Sequence, residues 1–316
     1  MERGPYLSAL RQAISRPDRD TPIILNLKKV ECENLDFSQF DLQGSSFSQA
    51  QLTHCHFIGS NLSQSNLIGT KFKDCDFVGA DLSGANATKA SFTNCSFSHA
   101  DLRDAFLIEA HFGETDFMGS ILWNVSLWNA DISGARHIKK KNFNNPAKPN
   151  NTQDACLAET NAIMACESYR SVKHYLYGRG LYEDASWAAY RELTMQRKHF
   201  FESKNPRYFP SLLMDILSGY TEKPNRVILS ALGIILLFGF IYFVTGAVRP
   251  TIDSSAIVSS WDHVYFSFIT FTTVGFGDFV PKPFLWVKIL VSIEAFSGPF
   301  MAGLYVFTLT RRYSSN

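Results

Sequence analysis

Residues 272–278 read Thr-Thr-Val-Gly-Phe-Gly-Asp. The chemistry open to such a segment belongs to its backbone. Gly275 and Gly277 permit backbone angles that other residues adopt only at a cost, so successive carbonyl oxygens can be turned to one side. A row of such oxygens can stand in for the water that a cation sheds, without holding the ion tightly. Thr273 adds a hydroxyl at one end of the row. A second chemical group, the carboxylate of Glu294, lies in an otherwise apolar stretch, where it is costly and a functional candidate by default. It could tune the ion path or support it by hydrogen bonding, and the support role is favoured.

The flanking elements give the segment its setting. Residues 261–272 form a short helix, too short to span a membrane. Val227–Val248 is a run of 22 residues without a charge, about 33 Å as a helix and enough to cross a hydrocarbon core. Residues 284–310 form a second candidate span, apolar apart from Lys288 and Glu294. Lys288 is shallow enough to snorkel outward. Gly298 and Pro299 interrupt this span, and a gating hinge and a static proline kink both fit. Lys223 and Arg226 precede the first span, and Arg311 and Arg312 follow the second. The charge bias therefore puts both ends of the chain in the cytoplasm. No span carries Arg or Lys at every third position, so a voltage sensor is not expected.

With these surroundings, residues 223–312 resemble the two-transmembrane pore-loop potassium channels. The resemblance implies that Thr273, Val274, Gly275, Phe276 and Gly277 are the potassium-coordinating filter, with K+ ions as the only expected ligands and no organic cofactor. Four chains would each supply a quarter of every carbonyl ring, hence a homotetramer in a lipid membrane. Val274 and Phe276 would point away from the pore and pack against the short helix. That helix would aim its negative C-terminal end at the inner cavity. Thr272, Asp278, Glu294 and Tyr265 would support the filter. Two departures bear on filter stability: Phe276 stands where tyrosine is usual, and Ile269 where some relatives carry a carboxyl.

The first half of the chain has a different pattern. From Phe37 to Ile132, every fifth residue is apolar through twenty steps, and two residues before each lies a mostly small one. A period of five fits neither helix nor strand. The pattern resembles the pentapeptide-repeat family, which implies a right-handed quadrilateral β-helix with twenty residues per coil, five coils, and the large and small residues inward. Cys55, Cys75 and Cys95 then stack as a ladder in the small slot. With His54, His56, Asp74 and Asp76 beside them they offer metal-ligand types. Plain filling of the slot by thiols is the favoured reading, because inward thiols and outward imidazoles do not readily share an ion. Trp123, Trp128, Phe106 and Ile121 break the polar outward pattern and predict a covered surface, packed by the following helices or a neighbouring subunit.

From Asn34 to Ala135, eleven Asp and Glu face four Lys and Arg, a balance of −7. Nucleic acid is not expected as a partner, because a chain joined to a membrane pore is an awkward mimic of it. Met1–Asp18 lacks a signal-peptide pattern, and the six cysteines make no disulfide framework. Residues 137–151 form a Lys-, Asn- and Pro-rich linker. Thr152–Tyr177 and Asp184–Glu202 are amphipathic helices in a hairpin, and Tyr208–Tyr220 is an apolar helix suited to the membrane surface.

The expected organisation is multidomain: a cap over 1–33, the β-helix over 34–136, a linker over 137–152, the helical hairpin and interfacial helix over 153–222, and an all-α pore domain with a re-entrant loop over 223–316. The expected activity is passive potassium conduction across the inner (plasma) membrane, modulated by the cytoplasmic domains, and no enzymatic reaction. A non-selective cation channel and a membrane-tethered interaction scaffold are the alternatives. No Walker-type or dinucleotide-type glycine spacing appears, so the gating ligand or protein partner stays unassigned.

Overall fold

The structure is a computed structural model that describes residues 22–145, 157, 162–252 and 258–313. Most of the expected N-terminal cap and much of the expected linker lie outside the described residues. The chain divides into two compact units, Met1–Ser203 and Lys204–Asn316.

The first unit begins as a parallel solenoid. Five three-residue strands, β1 (Glu31–Glu33), β2 (Gln51–Thr53), β3 (Lys71–Lys73), β4 (Ser91–Thr93) and β5 (His111–Gly113), pair in chain order. Each residue faces the one twenty places later, as in Glu31↔Gln51 and Phe72↔Phe92. The other three sides of each coil are tied by single bridges in the same register, such as Asp36↔His56, Asp41↔Asn61 and Ser46↔Asn66. Four five-residue sides therefore close one coil.

The corners explain why the period is five. Left-handed backbone recurs at every fifth position, as at Gln39 (φ 63°), Gly44 (φ 69°), Gln49 (φ 59°) and His54 (φ 52°). A non-glycine residue there costs about 1–2 kcal/mol. Inter-coil hydrogen bonds such as Gln39 N–H to Ile58 O at 2.9 Å offset that cost. Inside, Phe37, Phe57, Phe77, Phe97 and Phe117 form one stack with centroids 4.7–5.3 Å apart. Phe72, Phe92 and Phe112 form a second stack, which meets the first edge-on. Each stacked or edge-on ring pair adds about 0.5–1.5 kcal/mol beyond its area burial.

The solenoid starts earlier than the expected residue 34. Leu27 and Cys32 already occupy the inward positions, and Asn26 pairs with Ser46. Leu35 and Phe40 fill the slot that is small elsewhere, and both are buried.

At the other end, a 3-10 turn at Lys140–Phe143 replaces the next coil. The Asn142 side-chain amide donates to Ser120 O at 2.8 Å, and Leu122 N–H donates to Asn142 O at 2.6 Å. Leu157 was expected in a helix starting at residue 152. It instead bridges Val125 as extended chain, fully buried, with its N–H on the Tyr169 hydroxyl at 3.0 Å. Leu157 thereby helps cover the end of the solenoid.

Two helices follow, α1 (Ala162–Gly178) and α2 (Tyr182–Glu202). Gly180 turns between them at φ 72°. Tyr169, Val172, Leu176, Ala185 and Ala188 extend the core of the solenoid. Buried Glu192 accepts from Arg170 at 2.8 Å and Lys173 at 2.5 Å. The Trp128 indole donates to Glu167 of α1, so this helix covers part of the predicted aromatic surface.

The second unit holds α3 (Tyr208–Ser218), α4 (Pro224–Thr245), β6 (Val248–Pro250), α5 (Ser260–Phe271), β7 (Phe279–Pro281) and α6 (Leu285–Tyr313). Pro224 opens α4, where its missing N–H is harmless, and Gly246 closes it at φ 53°. Helices α4 and α6 are long and apolar enough to cross a membrane. Leu229, Leu236, Phe240, Ile293, Phe296 and Phe307 are all exposed on them. Arg226 at the start of α4 pairs with Asp215 of α3 at 2.8 Å, leaving Phe209, Leu213 and Ile216 of α3 exposed.

Candidate functional site

The site is built on α5. Ser259 caps it, accepting from Trp261 N–H at 3.3 Å, while Asp262 reaches back to Ser259 N–H at 2.7 Å. This capping box fixes where the helix starts. Its apolar face, Phe266, Ile269 and Phe271, packs between α4 and α6. Gly239 of α4 allows the close approach, since a Cβ there would lie 3.0 Å from Val264 Cα.

The chain leaves α5 at Thr272 and enters the glycine segment. The first amides of this segment turn back to the helix end. Thr273 N–H donates to Thr270 O at 3.0 Å, and Val274 N–H to Ile269 O at 3.0 Å. Gly275 N–H also reaches Ile269 O, at 3.3 Å. In a trans peptide the carbonyl opposes the following N–H. The carbonyls of Thr272, Thr273 and Val274 therefore point away from the helix that anchors their partners.

Left-handed backbone recurs at alternate residues, Thr273 (φ 57°), Gly275 (φ 55°) and Gly277 (φ 81°). An ordinary strand alternates its carbonyls between two sides, and a change of φ sign at every second residue counteracts that alternation. Glycine takes this backbone freely at two of the three positions.

Side chains around the segment follow the expected roles in part. The Thr272 hydroxyl donates to Phe268 O at 2.7 Å, securing the helix end. Tyr265 lies 6.1 Å, ring to ring, from Phe279, the residue after Asp278. Val274 and Phe276 differ from the expected packing: they are 52% and 72% exposed. In the single chain Phe268 of α5 is likewise 51% exposed, while Phe266, Ile269 and Phe271 pack toward α4 and α6.

Glu294 is fully buried. Its carboxylate accepts from the Tyr242 hydroxyl of α4 at 2.6 Å and from the Ser267 hydroxyl of α5. It thus joins three helices through one group.

Gly298 and Pro299 lie within one continuous helix, α6. A Cβ on Gly298 would fall 1.7 Å from the Phe271 carbonyl oxygen. Here glycine serves as the contact between α6 and the C-terminal end of α5, which span-level reading could not show.

Sequence reasoning also missed the β6–β7 strand pair. Val248↔Pro281, Arg249↔Val280 and Pro250↔Phe279 pair antiparallel, tying the end of α4 to the chain just beyond Asp278. Its strands are three residues long and carry no alternating pattern.

In the first unit, the ladder cysteines are buried and His54 points outward to Asp74 at 3.7 Å. The two donor sets therefore lie on opposite sides of the solenoid wall. Among the described residues, no group of three or more His, Cys, Asp or Glu could hold a metal ion.

Comparison with known families agrees with this division. Residues 31–136 match pentapeptide repeats in overlapping stretches, 31–67, 45–84, 75–113 and 100–136. Residues 230–315 match the family described as ion channel. No curated protein matches the chain.

Among solved structures, the plasmid-mediated fluoroquinolone resistance protein QnrB1 is 26% identical over 36% of this chain and 64% of its own, with a TM-score of 0.31. The pentapeptide repeat protein Rfr23 of the cyanobacterium Cyanothece 51142 is 18% identical over 35% and 82%, at 0.25. One from the Arabidopsis thaliana thylakoid lumen is 24% identical over 33% and 69%, at 0.22. All three scores are low. The families matched are a repeat protein and a channel, not enzymes. The chain thus joins a pentapeptide-repeat solenoid to an ion-channel domain, and with two apolar helices in that domain it is a membrane protein.

Proposed function

We propose that four copies of this chain form a potassium-selective channel through which K+ passes passively down its gradient. The observation that carries the reading is the anchoring of the Thr273, Val274 and Gly275 amides on the end of α5. It leaves the carbonyls of Thr272, Thr273 and Val274 facing the other way, away from α5. Four such segments around an axis make stacked oxygen rings that replace the hydration shell of K+. Irregular backbone at membrane depth is tolerable where it lines such a path.

The exposed Val274, Phe276 and apolar faces of α4 and α6 support assembly, since lipid and neighbouring subunits are what would cover them. The basic residues flanking the two spans support a cytoplasmic location for both ends of the chain and the solenoid, in the plasma (inner) membrane. Thr272, Tyr265, Asp278 and Glu294 hold the filter in place. The solenoid and helical hairpin act as the cytoplasmic module that modulates conduction, answering to a ligand or protein partner.

Reversal potentials in planar bilayers test the reading. With K+ on one side and Na+ on the other, the potential should sit close to the K+ equilibrium value. A reversal near zero would assign a non-selective cation pathway.

A further inference from the structure

The outer end of the glycine segment makes a contact that the channel reading does not use. The Thr251 hydroxyl donates to the Gly277 carbonyl oxygen at 2.6 Å, and Thr251 N–H donates to Asp278 O at 2.9 Å. Thr251 directly follows β6, whose pairing with β7 sets this register through Pro250↔Phe279. The same residue thus grips two successive carbonyls, one by side chain and one by backbone. Gly277 itself is conformationally free: its φ is +81° and nothing lies within 4 Å of where a Cβ would be. Without the grip, this peptide has little to fix its orientation.

We propose that Thr251 is the positioning residue of the outermost filter carbonyl, latching Gly277 to the β6–β7 strand pair and so to the end of α4. The inference rests on the channel reading. A carbonyl that accepts a short hydroxyl hydrogen bond is directed toward that donor, and one of its lone pairs is occupied. The Gly277 ring is therefore the weakest of the stack as an ion ligand. The carbonyls of Thr273–Phe276 do most of the coordination. Thr251 touches the carbonyl and not the reacting path, so it acts through Gly277. It also gives the β6–β7 strand pair a direct mechanical connection to the ion path.

The test compares wild type, Thr251→Val, which keeps the shape and removes the hydroxyl, and Thr251→Ser, which keeps the hydroxyl. In bilayers, the readout is the external K+ concentration that half-maximally slows escape of a blocking Ba2+ ion, a measure of K+ affinity at the outer site. Freeing the Gly277 carbonyl should lower that concentration about threefold or more, the equilibrium weight of an ordinary hydrogen bond. Thr251→Ser should restore the wild-type value. Equal values for wild type and Thr251→Val, or a Thr251→Ser that behaves like Thr251→Val, would overturn the latch.

If wild type conducts no ions, the channel reading fails separately, and the latch is judged on the 13C carbonyl resonance of Gly277. That resonance should shift upfield in Thr251→Val and return in Thr251→Ser. An unchanged resonance overturns the latch.

Discussion

The Tyr242 hydroxyl of α4 donates to the Glu294 carboxylate of α6 at 2.6 Å, with the Ser267 hydroxyl of α5 on the same carboxylate. One acceptor thus holds α4, α5 and α6 in register. Removing it strands the buried Tyr242 hydroxyl, at about 1–3 kcal/mol, and opens a cavity between the three helices, while the Ser267 hydroxyl keeps the Ile235 carbonyl at 2.7 Å. Glu294→Ala should therefore lower the thermal midpoint of the detergent-purified protein far more than Tyr242→Phe or Ser267→Ala. Glu294→Gln, which keeps acceptor capacity, should fall between. Equal midpoints for Glu294→Ala and Tyr242→Phe would contradict the three-helix role.

Gly298 gives a contrast within one helix. A Cβ there would meet the Phe271 carbonyl at 1.7 Å, whereas one at Gly303 would meet nothing within 4 Å. Gly298→Ala should cost about 1–3 kcal/mol by forcing α6 off the end of α5. Gly303→Ala should change stability by no more than about 0.5 kcal/mol. Thermal melts of the two variants decide this. A tolerated Gly298→Ala would remove the packing role and return attention to hinge motion.

The phenylalanine stacks make a similar claim for the solenoid. Phe77 is fully buried and touches rings above, below and beside it. Phe77→Ala should cost about 3–5 kcal/mol in denaturant unfolding of the full chain. Ile58→Ala, at a 37% exposed outward position, should cost well under half of that.

The cysteines predict a pH dependence. Burial, with a smaller contribution from Cys55, pushes the Cys32 thiol from 9.0 up to about 11. A hydrogen bond to Cys75, followed by burial, raises Cys55 further. The folded state thus favours the protonated thiols, whose contribution is complete below about pH 9 and is lost as pH rises through 11. Solenoid stability should fall above pH 9, and Cys32→Ser with Cys55→Ala should flatten that fall. At pH 7.5, thiol reagents should label these cysteines only after unfolding.

The legibility of this chain varies with the range of its contacts. The solenoid could be read because each inward residue recurs at five and each coil contact at twenty, a pattern every unit repeats. Its ends could not, because Asn142 and Leu157 cap by single long-range contacts to Ser120, Leu122 and Val125. Helices α4, α5 and α6 were legible as helices, to within a few residues at their ends. The packing of Val274 and Phe276 was not, since both stay exposed in the single chain. Glu294 stood out as a charge in an apolar run, but its partners lie 27 and 52 residues away and carry no local signal. Thr251 gave none either.

The most direct measurement is ion flux from liposomes containing the purified full-length protein, loaded in turn with potassium and with sodium. Efflux of potassium alone, abolished by Gly275→Ala, is the predicted result. Equal efflux of both ions, or potassium efflux that persists in Gly275→Ala, would contradict a filter built from the carbonyls of Thr273–Gly277.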